Sequence, residues 1–100
     1  MHELAMFLTI RTEPGQRDAL VRLWDKHLKN RAAANDDQVL YVCALDDADP
    51  DAIRITEVYA TKAALEANAK APWFASYMDE AGPLLAAPPE VIMATPHWVK

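Results

Sequence analysis

Residues 4–10, LAMFLTI, and residues 39–45, VLYVCAL, are apolar at nearly every position. Side chains of a strand alternate between two faces, so a strand of this kind is one covered on both. That requirement limits the fold more than any other feature. The first strand is predicted over residues 3–11, with Pro14-Gly15 breaking the chain in the turn that follows. A helix is predicted from residue 16 to about 33. Leu20, Leu23, Trp24, His27 and Leu28 recur there at helical spacing, while Asp18, Arg22, Asp25, Lys26 and Lys29 form its wet side. Asn35-Asp36-Asp37 closes it ahead of the second strand.

Residues 46–51, DDADPD, form an acidic turn. They lack the spacing, glycine and closing Glu of a calcium loop, and read as a solvated hairpin turn. The third strand ends at Tyr59. Thr61 is the predicted N-cap of a helix over residues 62–69, and Pro72 fits the first position of a further helix reaching residue 81. Gly82-Pro83 closes that unit and residues 84–89 are a proline-rich connection. The last strand is predicted over 91–99, where Pro96 points to a sheet edge or a bulge.

The order β-α-β-β-α-β is that of an α+β ferredoxin-like sandwich, four antiparallel strands with the helices on one face. Helices on one face leave the other bare, yet strands one and two are apolar on both sides. A second copy of the same sheet is the economical cover, so a homodimer enclosing a barrel-like interior is expected. One hundred residues make a single domain, 1–100. A chain this short buries only about two-thirds of its unfolded surface, which adds to the case for a partner subunit.

The net charge of −5, with no basic cluster, argues against nucleic-acid and anionic-membrane partners. No apolar run approaches the ~20 residues of a membrane span. The N-terminal MHELAMFLTIRTEPG has no basic region and carries Glu3, so it does not read as a signal peptide, and the cytoplasm is expected. The single Cys43, inside an apolar strand, reads as a small buried hydrophobe.

Chemistry is sparse. His2, His27 and His97 lie far apart without metal-ligand spacing, and Gly15 and Gly82 are the only glycines, which excludes glycine-rich phosphate loops. No metal, flavin or nucleotide cofactor is expected. What converges is residues 53–74, IRITEVYATKAALEANAKAPWF. Ile53, Ile55, Glu57 and Tyr59 share one strand face, and the helices behind them bring Asn68, Trp73, Phe74 and Tyr77. With Trp24 and His27 from the first helix these make an aromatic pocket with a few polar groups, the usual make-up of a small-molecule site. Each also has a plainer reading: core packing for Trp24, Trp73 and Phe74, a satisfied core imidazole for His27, a paired carboxylate for Glu57, a surface amide for Asn68.

A strand written Thr56-Glu57-Val58-Tyr59, then Thr61, Ala64-Leu65-Glu66-Ala67-Asn68 and Pro72-Trp73-Phe74, resembles the antibiotic biosynthesis monooxygenase family. Glu13-Pro14-Gly15-Gln16-Arg17 after the first strand fits the same pattern, and the resemblance covers nearly the whole chain. It departs twice: the strand aromatic, commonly Trp, is Tyr59, and the usual His is Asn68. The resemblance implies a dimeric α+β barrel and cofactor-independent oxygenation, in which an electron-rich phenol or quinol is deprotonated and its anion reacts with O2. By the same resemblance Tyr59 and Asn68 occupy the catalytic positions. Asn68 can donate to a phenolate but cannot accept a proton near neutral pH, a role His27 fills only if it reaches the same pocket. Two functions follow: a monooxygenase acting on a small aromatic, phenolic or quinol substrate, and a non-catalytic dimeric binding or structural module on the same fold.

Overall fold

A computed structural model describes residues 2–100. Among these the elements run β1 (Leu4–Arg11), α1 (Arg17–His27), α2 (Lys29–Ala34), β2 (Gln38–Leu45), β3 (Ala52–Tyr59), α3 (Lys62–Lys70), α4 (Pro72–Ala81), a 3-10 turn (Gly82–Leu84) and β4 (Glu90–Ala94). The strands form one antiparallel sheet in the order β2-β3-β1-β4. This is the α+β ferredoxin-like arrangement that the element order predicts.

Register decides which side chains meet. Ile53 lies opposite Ile10, Ile55 opposite Leu8, Glu57 opposite Met6 and Tyr59 opposite Leu4. Because every second residue shares a face, these eight side chains, with Tyr41 and Cys43 of β2, form one surface of the sheet. Leu20 of α1 and Tyr77 and Ala81 of α4 pack onto its Ile10–Ile53–Ile55 end. Leu20 is 1% exposed and anchors that core.

Local chemistry fixes the connections. Gly15 adopts φ 79°, a backbone conformation that a residue with a Cβ resists, and its N–H donates to Asp51 Oδ1 at 2.9 Å. In the acidic turn, Asp46 Oδ1 accepts from the N–H groups of Ala48 and Asp49, and Arg17 donates to the carbonyls of Asp46, Asp49 and Ala52. The aspartates thus act as turn acceptors and partners of arginines. Thr61 accepts from the N–H of Ala64 at 3.1 Å as the N-cap of α3, and Pro72 opens α4.

Two expectations are corrected. The first helix is not continuous over residues 16–33: it breaks at Leu28 into α1 and α2. At the break the His27 carbonyl accepts from Arg31 Nη1 at 2.7 Å, a side-chain donor that caps the end of α1. The last strand spans Glu90–Ala94 and stops before Pro96, which has no N–H to extend the ladder.

The second sheet face carries Val42, Thr56, Phe7 and Ile92 in one row across all four strands. Phe7 is 44%, Val42 47% and Ile92 65% exposed in the single chain. Among the described residues no helix is long and apolar enough to cross a membrane.

Leu20→Ala should remove about 3 kcal/mol of stability, the transfer and cavity cost of emptying a buried leucine site. Urea unfolding measures it. A loss below about 1 kcal/mol would mean that α1 is not anchored through Leu20.

Candidate functional site

The site begins at the end of β3, where Tyr59 is buried among polar neighbours. A bulge at the start of β2 creates this. Gln38 lies opposite Tyr59 while Leu40 lies opposite Val58, so Val39 is an extra residue in the ladder. In a regular ladder Val39 would face Tyr59. The bulge turns Val39 outward and brings the amide of Gln38 onto the helix-facing side. The Tyr59 hydroxyl donates to Glu57 Oε1 at 2.6 Å. Gln38 Nε2 donates to the same oxygen at 2.7 Å and to the Tyr59 hydroxyl at 3.0 Å. Asn68 Nδ2 of α3 reaches the Tyr59 hydroxyl at 3.3 Å. One phenol oxygen therefore gives its proton toward a carboxylate and accepts from two amides.

This network lies in the wall of a cavity of about 120 Å³ between the sheet and the helices. Met6, Leu8, Tyr41, Glu57 and Tyr59 line the sheet side; Leu65, Asn68, Trp73 and Phe74 line the helix side. Trp73 and Phe74 meet edge to face, with centroids 5.9 Å apart. The proline start of α4 directs both rings inward, one after the other. Arg31 of α2 also lines the cavity, and because it is exposed it marks where the cavity meets solvent.

Burial raises the Glu57 carboxyl above the usual carboxylate range, against the opposing hydrogen bonds from Tyr59 and Gln38. The Tyr59 phenol is raised as well, first by burial and then by its bond to Glu57. Tyr41 is raised by burial and by the nearby Glu57 charge. Among the described residues no buried side-chain nitrogen or oxygen lacks a partner, and no three His, Cys, Asp or Glu side chains are grouped to hold a metal ion.

Of the residues singled out in the sequence, Glu57, Tyr59, Asn68, Trp73 and Phe74 come together around this cavity. Trp24, His27 and Tyr77 stand outside its lining. Trp24 donates its indole N–H to the Tyr41 hydroxyl at 2.9 Å and braces that ring from behind. His27 turns instead toward α4, where its Nε2–H donates to Glu80 and its ring lies 6.0 Å from Tyr77. That bond holds the Glu80 carboxyl below its usual range. Burial pushes the Tyr77 phenol up to about 12. Gln38, Tyr41 and Arg31 join the lining from outside that set. Gln38 carries a faint signal as the one polar residue opening an apolar strand; Arg31, three and four residues beyond Leu28 and His27, continues their helix face as a basic residue.

The raised Glu57 has a thermodynamic consequence. An unfolded Glu titrates near about 4.3. The folded chain keeps the proton to higher pH, so it binds more protons than the unfolded chain in that window. Stability from this group is complete below the unfolded value and is lost as pH rises through the folded one. Urea unfolding from about pH 4 to about pH 7 should show wild type losing stability relative to Glu57→Gln. Parallel profiles would contradict the assignment.

No protein-family model and no curated protein matches the chain. Solved structures do. A Chloroflexus aurantiacus protein provisionally described as an antibiotic biosynthesis monooxygenase is 31% identical, with 97% of this chain and 95% of that one covered, at a TM-score of 0.81. Proteins of the same provisional description from Caulobacter crescentus and Nitrosomonas europaea share only 15% and 11% identity but superpose with TM-scores of 0.87 and 0.88. They cover 95% and 97% of this chain, and 90% and 92% of their own lengths. The likeness at low identity extends to the fold; with the first of these relatives it extends to the sequence, and the chain belongs to the antibiotic biosynthesis monooxygenase family.

Proposed function

We propose that the chain is a cofactor-independent monooxygenase that takes a single-ring phenol or hydroquinone into the cavity walled by Tyr59, Asn68 and Trp73. The observation that carries the proposal is the Tyr59 hydroxyl, bonded to a buried carboxylate and to two amide donors inside an aromatic cavity. A cavity of about 150 Å³ admits benzene. At about 120 Å³ this one is of one-ring scale, smaller than a polycyclic substrate requires.

The roles follow from the donors and acceptors. Trp73 and Phe74 hold the ring by its faces and edges. A substrate hydroxyl takes the place of Asn68, whose 3.3 Å contact is the longest of the three, as donor to the Tyr59 oxygen while the Tyr59 proton passes to Glu57. The net transfer is from substrate to Glu57, whose raised affinity for a proton makes it the better acceptor. The Asn68 amide N–H groups are then free to stabilise the negative charge that develops, while Gln38 keeps both of its donors on Glu57 and Tyr59. The electron-rich anion then reduces O2. For hydroquinone the balance is one O2 taken up, one oxygen atom entering the ring, the other leaving as water, and hydroxyquinone as product. The substrate supplies all the electrons.

The second reading, a binding module without turnover, draws on Asn68, which stands where the family pattern has an imidazole. Oxygen uptake separates the two. Wild type with hydroquinone and no added cofactor should consume O2 above background. Glu57→Gln should lower the rate by about a hundredfold or more, and Asn68→His should raise it by supplying a proton acceptor beside Tyr59. No uptake across a panel of phenols and quinols that nevertheless bind would establish the binding module.

The working unit of this reading is a homodimer joined through the open sheet face, supported by the exposed row of Phe7, Val42 and Ile92. Sedimentation at micromolar concentration should give a dimer for wild type and a folded monomer for Phe7→Glu. A stable wild-type monomer would overturn it.

A further inference from the structure

The geometry points to a ligand that bears a carboxylate on its aromatic ring, with Arg31 as the residue that receives it; the inference rests on the cavity being the ligand site proposed above. Arg31 and Glu57 are the charged residues in the cavity lining. Glu57 is committed to Tyr59 and Gln38. Arg31 is not committed to any carboxylate: among the described residues Arg11 pairs with Asp49 and Arg54 with Asp46, whereas Arg31 takes part in no ion pair.

Two contacts nevertheless hold Arg31 in place. Nη1 donates to the His27 carbonyl at the helix break, at 2.7 Å. The guanidinium carbon lies 5.0 Å from the centroid of the Trp73 ring. A guanidinium offers five N–H donors in a planar fork, and the helix carbonyl uses one. The group is thus oriented in advance, with donors left over, against the same tryptophan that walls the cavity. A planar fork of this kind matches a carboxylate through two parallel hydrogen bonds. The chain as a whole carries −5, so an anionic ligand gains its attraction from this local cation and not from the general field.

The polar ends of the cavity differ accordingly. The hydroxyl end of the ligand meets Tyr59 and the amides in the interior; the carboxylate end meets Arg31 where the cavity opens. A hydroquinone ring that also carries this carboxylate is a dihydroxybenzoate.

Calorimetric titration under anaerobic conditions tests this without turnover. The probes are 2,5-dihydroxybenzoate, its methyl ester and hydroquinone, each against wild type, Arg31→Gln and Arg31→Lys. Wild type should bind the acid about tenfold or more tighter than the ester, the size of a charge-assisted contact at a partly exposed site. Arg31→Gln should abolish that preference and leave hydroquinone affinity unchanged within about twofold. Arg31→Lys should keep part of the preference, since it keeps the charge and loses the fork. Equal binding of acid and ester by wild type would overturn the inference alone. So would an Arg31→Gln change that weakens all three probes alike, because Arg31 would then only support Trp73. If none of the three binds wild type, the cavity is not the ligand site and both readings fall together.

Discussion

Glu57 is the one charged residue in a sheet face built mainly from isoleucine, leucine, methionine and tyrosine, with its carboxylate buried. Removing a charge from water in such a place costs several kcal/mol unless donors surround it. Much of the arrangement at this end of the molecule answers that requirement. Tyr59, two residues along the same strand, supplies an O–H; Gln38, across the sheet, supplies an N–H; Asn68 holds the phenol from above. Their convergence makes one polar wall of the cavity, facing Trp73 and Phe74. The opposite end of the same face, at Ile10, Ile53, Ile55 and Leu20, has no such group and is closed core.

Most of the fold could be read from the chain because its signals are local and periodic. Alternation placed Ile53, Ile55, Glu57 and Tyr59 on one face; Thr61 and Pro72 marked the starts of two helices; the element order fixed the topology. Periodicity falls short where one residue acts against the pattern. A strict period of two puts Val39 inside and Gln38 outside, and the bulge reverses both. The apolar spacing that runs through Leu28 cannot show that the His27 carbonyl takes a side-chain donor instead of continuing the helix. The predicted last strand, 91–99, runs past Pro96 as an edge or a bulge, yet the ladder ends at Ala94.

The candidate site was legible in part for the same reason. Glu57, Tyr59, Asn68, Trp73 and Phe74 come from one contiguous strand-to-helix stretch, where spacing alone brings them close. His27 and Trp24 share an apolar helix face with Leu20, but a helix face is wide enough to look in two directions. His27 looks toward Glu80 and Trp24 toward the back of Tyr41. Sequence assigns a residue to a side of the sheet far more readily than to a particular cavity on it.

The bulge at Val39 also bears on how copies of the chain avoid one another. β2 is an outer strand of the sheet, and its free edge offers N–H and C=O groups to any extended segment that arrives. A flat, regular run of valine and leucine there would be a template for unwanted strand addition and fibre growth. The extra residue interrupts that rail near its start and sharpens the local twist. The same irregularity that delivers Gln38 to Glu57 therefore discourages edge-to-edge aggregation, leaving the broad sheet face as the surface better suited to ordered association.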